Sequence, residues 1–389
     1  MSQIFLDRSK LSPAYVPDVL PHRDRQMKLL HLLFQDSLRH TNEAQLRATQ
    51  LIGGVGTGKT CTMTRFGEEM NREADKRGIN LTHIYVNSKL EGTKKILLYR
   101  NMLDKVSRDI ATRSLSSEEM LHQMMRYLID EDRFLLITVD EIEYFYKRSD
   151  EPLIYDLTRL NEIFPGEPTR VIGTVFISRD TSFHSHLDPS ELSSLGRSYI
   201  EFERYDSNQI RDILSLRTDE AFQRGAVDEE ILGFISDFVS KEPLNGDIRI
   251  ALDVLLYSGI YADAEGYKTI RPEHVRHVLR QTHPDITTEE LFKISENGRL
   301  VLLALIRALE TSRTAYVSLR DIREFYNLVC EEQNSHPVSD IEEELQDLID
   351  RGIVRMKSLT QFGIVGVTAK DLDRFLTGIR QRISNEVSG

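Results

Sequence analysis

Eight consecutive residues, Gly53-Gly54-Val55-Gly56-Thr57-Gly58-Lys59-Thr60, carry the clearest chemistry in this chain. They satisfy the spacing G-x-x-x-x-G-K-[ST] in full. Glycines at those positions let backbone N–H groups wrap around phosphates without a Cβ in the way. Lys59 is placed to reach β- and γ-phosphates, and the Thr60 hydroxyl to ligate Mg²⁺. With Cys61, the residues Val55, Gly56, Thr57, Gly58, Lys59 and Thr60 form the candidate nucleotide contacts. The context is right for this chemistry. An apolar run, Ala48–Gly53, precedes the loop, and a helical stretch follows whose N-terminal dipole favours the same anion.

Eighty residues on, Phe134-Leu135-Leu136-Ile137-Thr138-Val139-Asp140-Glu141 reads as a buried strand ending in two acids, the Walker B arrangement. Asp140 would hold the metal through water, and Glu141 would orient or polarise an attacking water. Alone the run is weak, because many buried strands end in an acid that only caps a helix. Paired with the phosphate loop it points to ATP hydrolysis or an ATP switch. No acceptor other than water is legible.

Those residues need a scaffold, and the rest of the sequence describes one. At 389 residues the chain should hold two or three domains of about 150 residues each. Hydrophobic residues at 40% and charged residues at 29% exclude collagen-like, low-complexity and wholly disordered classes. No apolar run approaches the roughly 20 residues of a membrane span. The N-terminus has no signal-peptide core. Two cysteines, Cys61 and Cys330, make no disulfide framework, so the reducing cytoplasm is the expected compartment. The net charge of −12 means that any nucleic-acid binding must come from a local patch.

Short β-rich runs at Ala48–Gly53, Thr82–Asn87, Phe134–Asp140, Arg170–Ser178 and Tyr199–Phe202 alternate with helical stretches. That alternation predicts a parallel sheet covered by helices, over 1–204. Residues 205–285 read as helices only, at Asn208–Gly225, Asp228–Lys241, Asp247–Ala264 and Pro272–Gln281. The polar segment 283–288 marks a boundary. Over 286–389, helices near 289–311, 318–332 and 338–351 precede an alternating stretch, Ile353–Val367. Three helices and a hairpin are the order of a winged helix. A generic helical domain with a hairpin is the other reading.

Further residues make the resemblance specific. Tyr15-Val16-Pro17-Asp18-Val19-Leu20-Pro21-His22-Arg23, Tyr85-Val86-Asn87, Asp140-Glu141-Ile142-Glu143-Tyr144, Leu187-Asp188-Pro189, Ser193-Ser194-Leu195-Gly196, Tyr205-Asp206 and Gly246-Asp247-Ile248-Arg249 together resemble the archaeal replication initiators of the origin-recognition and cell-division-cycle-six family, over nearly the whole chain. The resemblance implies an α/β AAA+ P-loop domain, an all-α lid and a C-terminal winged-helix domain. It implies ATP or ADP with Mg²⁺ as cofactors, and double-stranded origin DNA, the replicative helicase and other initiator paralogues as partners, without a membrane. Val16 and Pro17 would pack the adenine. Thr60 and Asp140 would serve the metal, while Lys59, Asp140, Glu141 and Arg249 form the catalytic set. Arg249 would be the sensor-2 arginine, since a guanidinium stays charged and grips phosphate bidentately. Tyr205 and Arg217 would line the nucleotide pocket.

Two positions depart from the family pattern. Arg179 stands where the sensor-1 asparagine is usual, and Ser190 where an arginine commonly follows Asp-Pro. A slow or switch-like ATPase is therefore expected. The segment 286–389 also carries an objection, because 13 basic against 17 acidic residues follow Thr288 and the third helix is strongly acidic. The candidate DNA contacts are Arg355, Lys357, Thr360 and Gln361 in the wing, with Lys94, Lys95 and Arg100 in a basic stretch around 89–113. That stretch also reads as a solvated helix face. Two other functions compete with an initiator: an ATP-switch regulator or assembly factor acting through protein contacts, and a mobile-element ATPase. Lys59→Ala is expected to abolish nucleotide binding in equilibrium dialysis, and tight retention of ADP or ATP by that variant would remove the site.

Overall fold

A strand without polar alternation has to be covered on both faces, and the apolar runs of this sequence are placed in that way. The computed structural model describes residues 3–39, 45–112, 114–167, 169–282, 293–333, 335–337, 340–365, 367–373 and 376. It divides into two compact units, 16–205 and 1–15 with 206–389.

The first unit is built from α1 (Asp24–Arg39), β1 (Arg47–Ile52), α2 (Lys59–Lys76), β2 (Asn80–Asn87), α3 (Ser88–Glu91), α4 (Lys95–Val106), α5 (Ser117–Asp130), β3 (Arg133–Asp140), α6 (Ile142–Tyr146), α7 (Leu153–Thr158), β4 (Val171–Ser178), α8 (Pro189–Leu195) and β5 (Ile200–Glu201). The five strands are parallel in the order β2-β3-β4-β1-β5. Strand β3 explains the layering. Phe134 and Leu136 join Leu30 and Phe34 of α1 and Phe66 and Met70 of α2, whereas Leu135, Ile137 and Val139 join Leu98 and Met102 of α4 and Met120 and Met124 of α5. A period of two therefore feeds two cores, one on each side of the sheet. All five expected strands are present, with ends shifted by no more than two residues.

The other unit contains α9 (Ser207–Ala221), α10 (Glu229–Val239), α11 (Ile248–Ala264), α12 (Pro272–Thr282), α13 (Glu296–Ser312), β6 (Val317–Ser318), α14 (Leu319–Glu332), α15 (Glu342–Asp350), β7 (Val354–Ser358) and β8 (Gln361–Ile364). Asp206, Asp228 and Asp247 cap α9, α10 and α11 by accepting from Gln209, Ile231 and Arg249 N–H groups; the sequence reading starts two of these helices at Asp228 and Asp247 and the first at Asn208, two residues past its cap. The three C-terminal strands pair antiparallel in the order β6-β8-β7; of the four residues whose spacing predicts the buried face of the third helix, Ile341, Leu345 and Leu348 are buried in the core with α13 and α14, and Ile349 is half-buried at its edge.

Two differences from the sequence reading stand out. Residues 3–15 belong with the helices and not with the sheet: Phe5 stacks on Phe222 at 4.7 Å, and Leu6 and Asp7 N–H groups donate to Ala221 O. The third C-terminal helix begins at Glu342, while Val338, Ser339, the boundary 283–288, residues 289–292, Arg113 and Gly366 lie outside the described residues. Helices and hairpin within this unit are joined by Arg276 of α12, which is 1% exposed. It donates to Ile364 O at 3.1 Å and Ala315 O at 2.9 Å and pairs with Glu273. No described helix is long and apolar enough to cross a membrane.

In the first unit α2 lies hard against β2 at one point. A Cβ on Gly67 would stand 1.9 Å from the His83 ring, so only glycine allows this approach. His83 bonds Thr138 Oγ1 at 2.9 Å, and burial depresses its pKa from 6.5 to about 4. Protonation thus favours the unfolded chain: the stabilisation is full above pH 6.5 and is lost as pH falls toward 4. Between pH 7 and 5 this costs about 2 kcal/mol. Chemical denaturation at those two pH values should show that loss in the natural chain and less of it in His83→Gln; equal losses in both would exclude His83 as the source.

Candidate nucleotide site

Ligands of open α/β sheets bind beyond the carboxyl ends of the strands. With β4 between β1 and β3, three strand ends stand side by side. They deliver the loop 53–60, residue 179 and the pair 140–141 to one edge.

The loop is wound by local chemistry. Gly58 precedes α2 in the left-handed region at φ 85°, where a Cβ would also stand 2.8 Å from the Tyr205 hydroxyl. The cradle is therefore one that a side chain would fill. Lys59, 9% exposed, donates through Nζ to Gly53 O at 2.5 Å and Gly54 O at 2.7 Å. Its ammonium is thus turned inward along the loop. Thr57 Oγ1 donates to Gly54 O at 2.9 Å.

Asp140 is the meeting point. The Thr60 hydroxyl donates to its Oδ2 at 2.6 Å, the Tyr85 hydroxyl to the same oxygen at 2.6 Å, and the Glu141 N–H to Oδ1 at 2.7 Å. Asp140 is 5% exposed, so these donors compensate the charge that burial isolates. Burial and the neighbouring Asp140 push the Tyr85 hydroxyl well above its ordinary pKa, which keeps it a donor. A hydroxyl and a carboxylate in contact form the hard-oxygen donor set suited to a small divalent cation. Asn87, at the end of β2, accepts from the Lys89 and Leu90 N–H groups and caps α3.

On the other side of the loop, Pro17 is buried and Val16 half-buried. Arg65 of α2 donates to Asp18 at 2.9 Å and to Glu69 at 3.2 Å, tying this segment to the helix that follows the loop. Arg23, 4% exposed, lies 4.0 Å from the Tyr205 ring and donates through Nη2 to Thr57 O at 2.7 Å. Burial pushes the Tyr205 hydroxyl up to about 12, with Arg23 opposing. Cys61 is half-buried on α2. Sequence reasoning missed Tyr85, Arg23 and Arg65 as site residues. Two lay inside quoted segments; Arg65 is an ordinary charged helix residue in sequence.

Arg179 leaves the end of β4. Its Nη2 stands 3.6 Å from Glu141 Oε1 and its Nε 3.4 Å from Glu143 Oε1. Glu141 itself is in the left-handed region, φ 54°. Ser190 is exposed and donates to Asp188 at 2.6 Å within the cap of α8.

Two expected nucleotide residues lie in the other unit. Arg249 is exposed in the first turn of α11. Arg217 is 5% exposed and donates to Lys10 O at 3.0 Å and Tyr15 O at 3.1 Å, with its guanidinium 4.8 Å from the Tyr15 ring.

The candidate DNA contacts divide. Lys94 is exposed. Lys95 is a correction: it is 8% exposed and its ammonium pairs with Asp156 at 2.7 Å, so it is unavailable to a phosphate. Arg100 is half-buried, with its Nε out of contact with solvent. Arg355 is drawn over the Phe238 ring of α10 at 4.7 Å, whereas Lys357, Thr360 and Gln361 are exposed on the hairpin.

Comparison with known proteins bears on the fold and the family. A family model described as an AAA domain matches residues 44–182, and one described as a Cdc6 AAA+ ATPase-type lid domain matches 211–279. The chain is 30% identical over 338 residues to the ORC1-type DNA replication protein 2 of Saccharolobus solfataricus, covering 86% of this chain and 81% of that protein. It is similar to the crystal structure of Cdc6p from Pyrobaculum aerophilum, with a TM-score of 0.83, 28% identity, and coverage of 97% and 99% of the two chains. The Aeropyrum pernix ORC1 protein in complex with DNA matches with a TM-score of 0.65 and 26% identity, covering 97% of this chain and 98% of that one.

Arg23→Ala removes the donor to Thr57 O and the stack on Tyr205. Nucleotide affinity should fall about tenfold, near 1.4 kcal/mol, in a fluorescent-nucleotide titration. An unchanged affinity would show that the loop holds its shape without Arg23.

Proposed function

The chain belongs to the family of ORC1-type, Cdc6-like DNA replication proteins, which makes it a P-loop AAA+ ATPase of replication initiation; from that premise we propose that it binds origin duplex DNA under the control of bound nucleotide and helps to recruit the replicative helicase. The observation that carries this reading is its likeness, over nearly its whole length, to an ORC1 protein solved with DNA.

The assigned roles follow from chemistry. Val16 and Pro17 pack the base. The loop Val55–Thr60 binds phosphates through backbone N–H groups, with Lys59 on the terminal phosphates and Cys61, Tyr205 and Arg217 nearby. Thr60 and Asp140 would hold a Mg²⁺, which when bound would neutralise charge on the phosphate oxygens. Glu141 orients the attacking water. Arg249, exposed at the start of α11, senses the terminal phosphates for the lid. The C-terminal helices and hairpin act as a winged helix whose wing approaches DNA.

Lys357, Thr360 and Gln361 are the wing residues exposed toward solvent, Lys357 with its ammonium 5.2 Å from the Tyr316 ring, and Lys94 is the corresponding residue of the sheet unit. Helix α15 presents Glu342, Glu343, Asp347 and Asp350, so base-specific contacts through it are disfavoured. Contacts from both units would read duplex shape and deformability instead. The acidic helix also supports a second reading, an ATP-switch regulator that docks on a protein.

Fluorescence anisotropy across a salt series decides between them. The chain with ADP or an ATP analogue should bind an origin-region fragment more tightly than a shuffled one, with preference surviving moderate salt. Absence of binding to either fragment at low salt would favour the protein-contact regulator.

A further inference from the structure

We propose that Arg179 is a positioning residue that restrains Glu141 by charge pairing, and so sets a slow rate of ATP hydrolysis. The inference rests on the reading of Glu141 as the residue that orients water.

Glu143 carries a second carboxylate two residues beyond Glu141. This carboxylate is 7% exposed on α6, and its Oε2 accepts no hydrogen bond among the described residues. Isolating a carboxylate from water is costly unless a cation stands beside it. The cation is Arg179, with Nε 3.4 Å from Glu143 Oε1. Glu143 therefore anchors the guanidinium at the end of β4. From that anchorage the other arm of the fork, Nη2, stands 3.6 Å from Glu141 Oε1.

A carboxylate orients water by accepting its hydrogen. A guanidinium carries five N–H donors and no acceptor, so beside Glu141 it competes for the same lone pairs. An asparagine at residue 179 would be shorter and neutral. It could neither compensate Glu143 nor hold Glu141 electrostatically. The restraint must be modest, because Arg179 is half exposed and both separations exceed a good hydrogen bond.

Steady-state ATP hydrolysis by the full chain tests this. Arg179→Asn should raise kcat about fivefold, with KM for ATP unchanged within about twofold. Arg179→Lys, which keeps the charge, should stay within about twofold of the natural chain. Because Arg179→Asn leaves Glu143 uncompensated, a second variant combines it with Glu143→Gln and should show the same rise. An unchanged or lower kcat in both variants overturns the proposal; a lower one would place Arg179 on the phosphates. A rise in Arg179→Lys equal to that in Arg179→Asn would also overturn it, since charge would not be the cause. Glu141→Gln separates the two readings. Full turnover in that variant removes the role of Glu141 and the restraint with it. Lost turnover there, with no rise in the residue-179 variants, removes the restraint alone.

Discussion

One buried carboxylate organises the nucleotide edge. Asp140 takes hydroxyls from Thr60 and Tyr85 and the N–H of Glu141, so donors from the start of α2 and from β2 converge on the last residue of β3. Tyr85 lies near the end of the adjacent strand β2, Thr60 follows the loop after β1 two places away, and Glu141 follows β3 itself. The arrangement would fail if the sheet were reordered, because only the sequence β2-β3-β4-β1 brings these ends together. The two cores on either face of β3 are thus what fix the position of Asp140.

Much of this was legible beforehand. Continuous apolar runs located the strands, and the aspartates that open α10 and α11 located those helix starts, whereas the short α3, capped by Asn87, has no counterpart in the sequence reading. The phosphate loop and the acidic strand end were readable because both are contiguous in sequence. Long-range partners were not. Tyr85 lies 55 residues from Asp140 and Arg23 lies 34 from Thr57, and no local pattern encodes either pairing. Lys95 shows the opposite error. A lysine in a basic stretch reads as solvated, yet helix phase turns it inward to Asp156, beside Tyr99, whose hydroxyl also donates to Asp156.

The helical unit has its own buried charge. Arg276 gives three chain segments a shared donor, and its partners are mostly backbone carbonyls, which side-chain substitutions elsewhere would not remove. Arg355 adds a cation over Phe238 from the hairpin side. Two cations of a strongly acidic protein are thereby committed to internal packing, and neither contributes to an exposed basic surface.

The chain passes between its two units twice, after Tyr15 and after Tyr205. Tyr205 borders the second crossing and stacks with Arg23, eight residues beyond the first. The two ends of the sheet unit are therefore fastened to each other by one cation–ring contact.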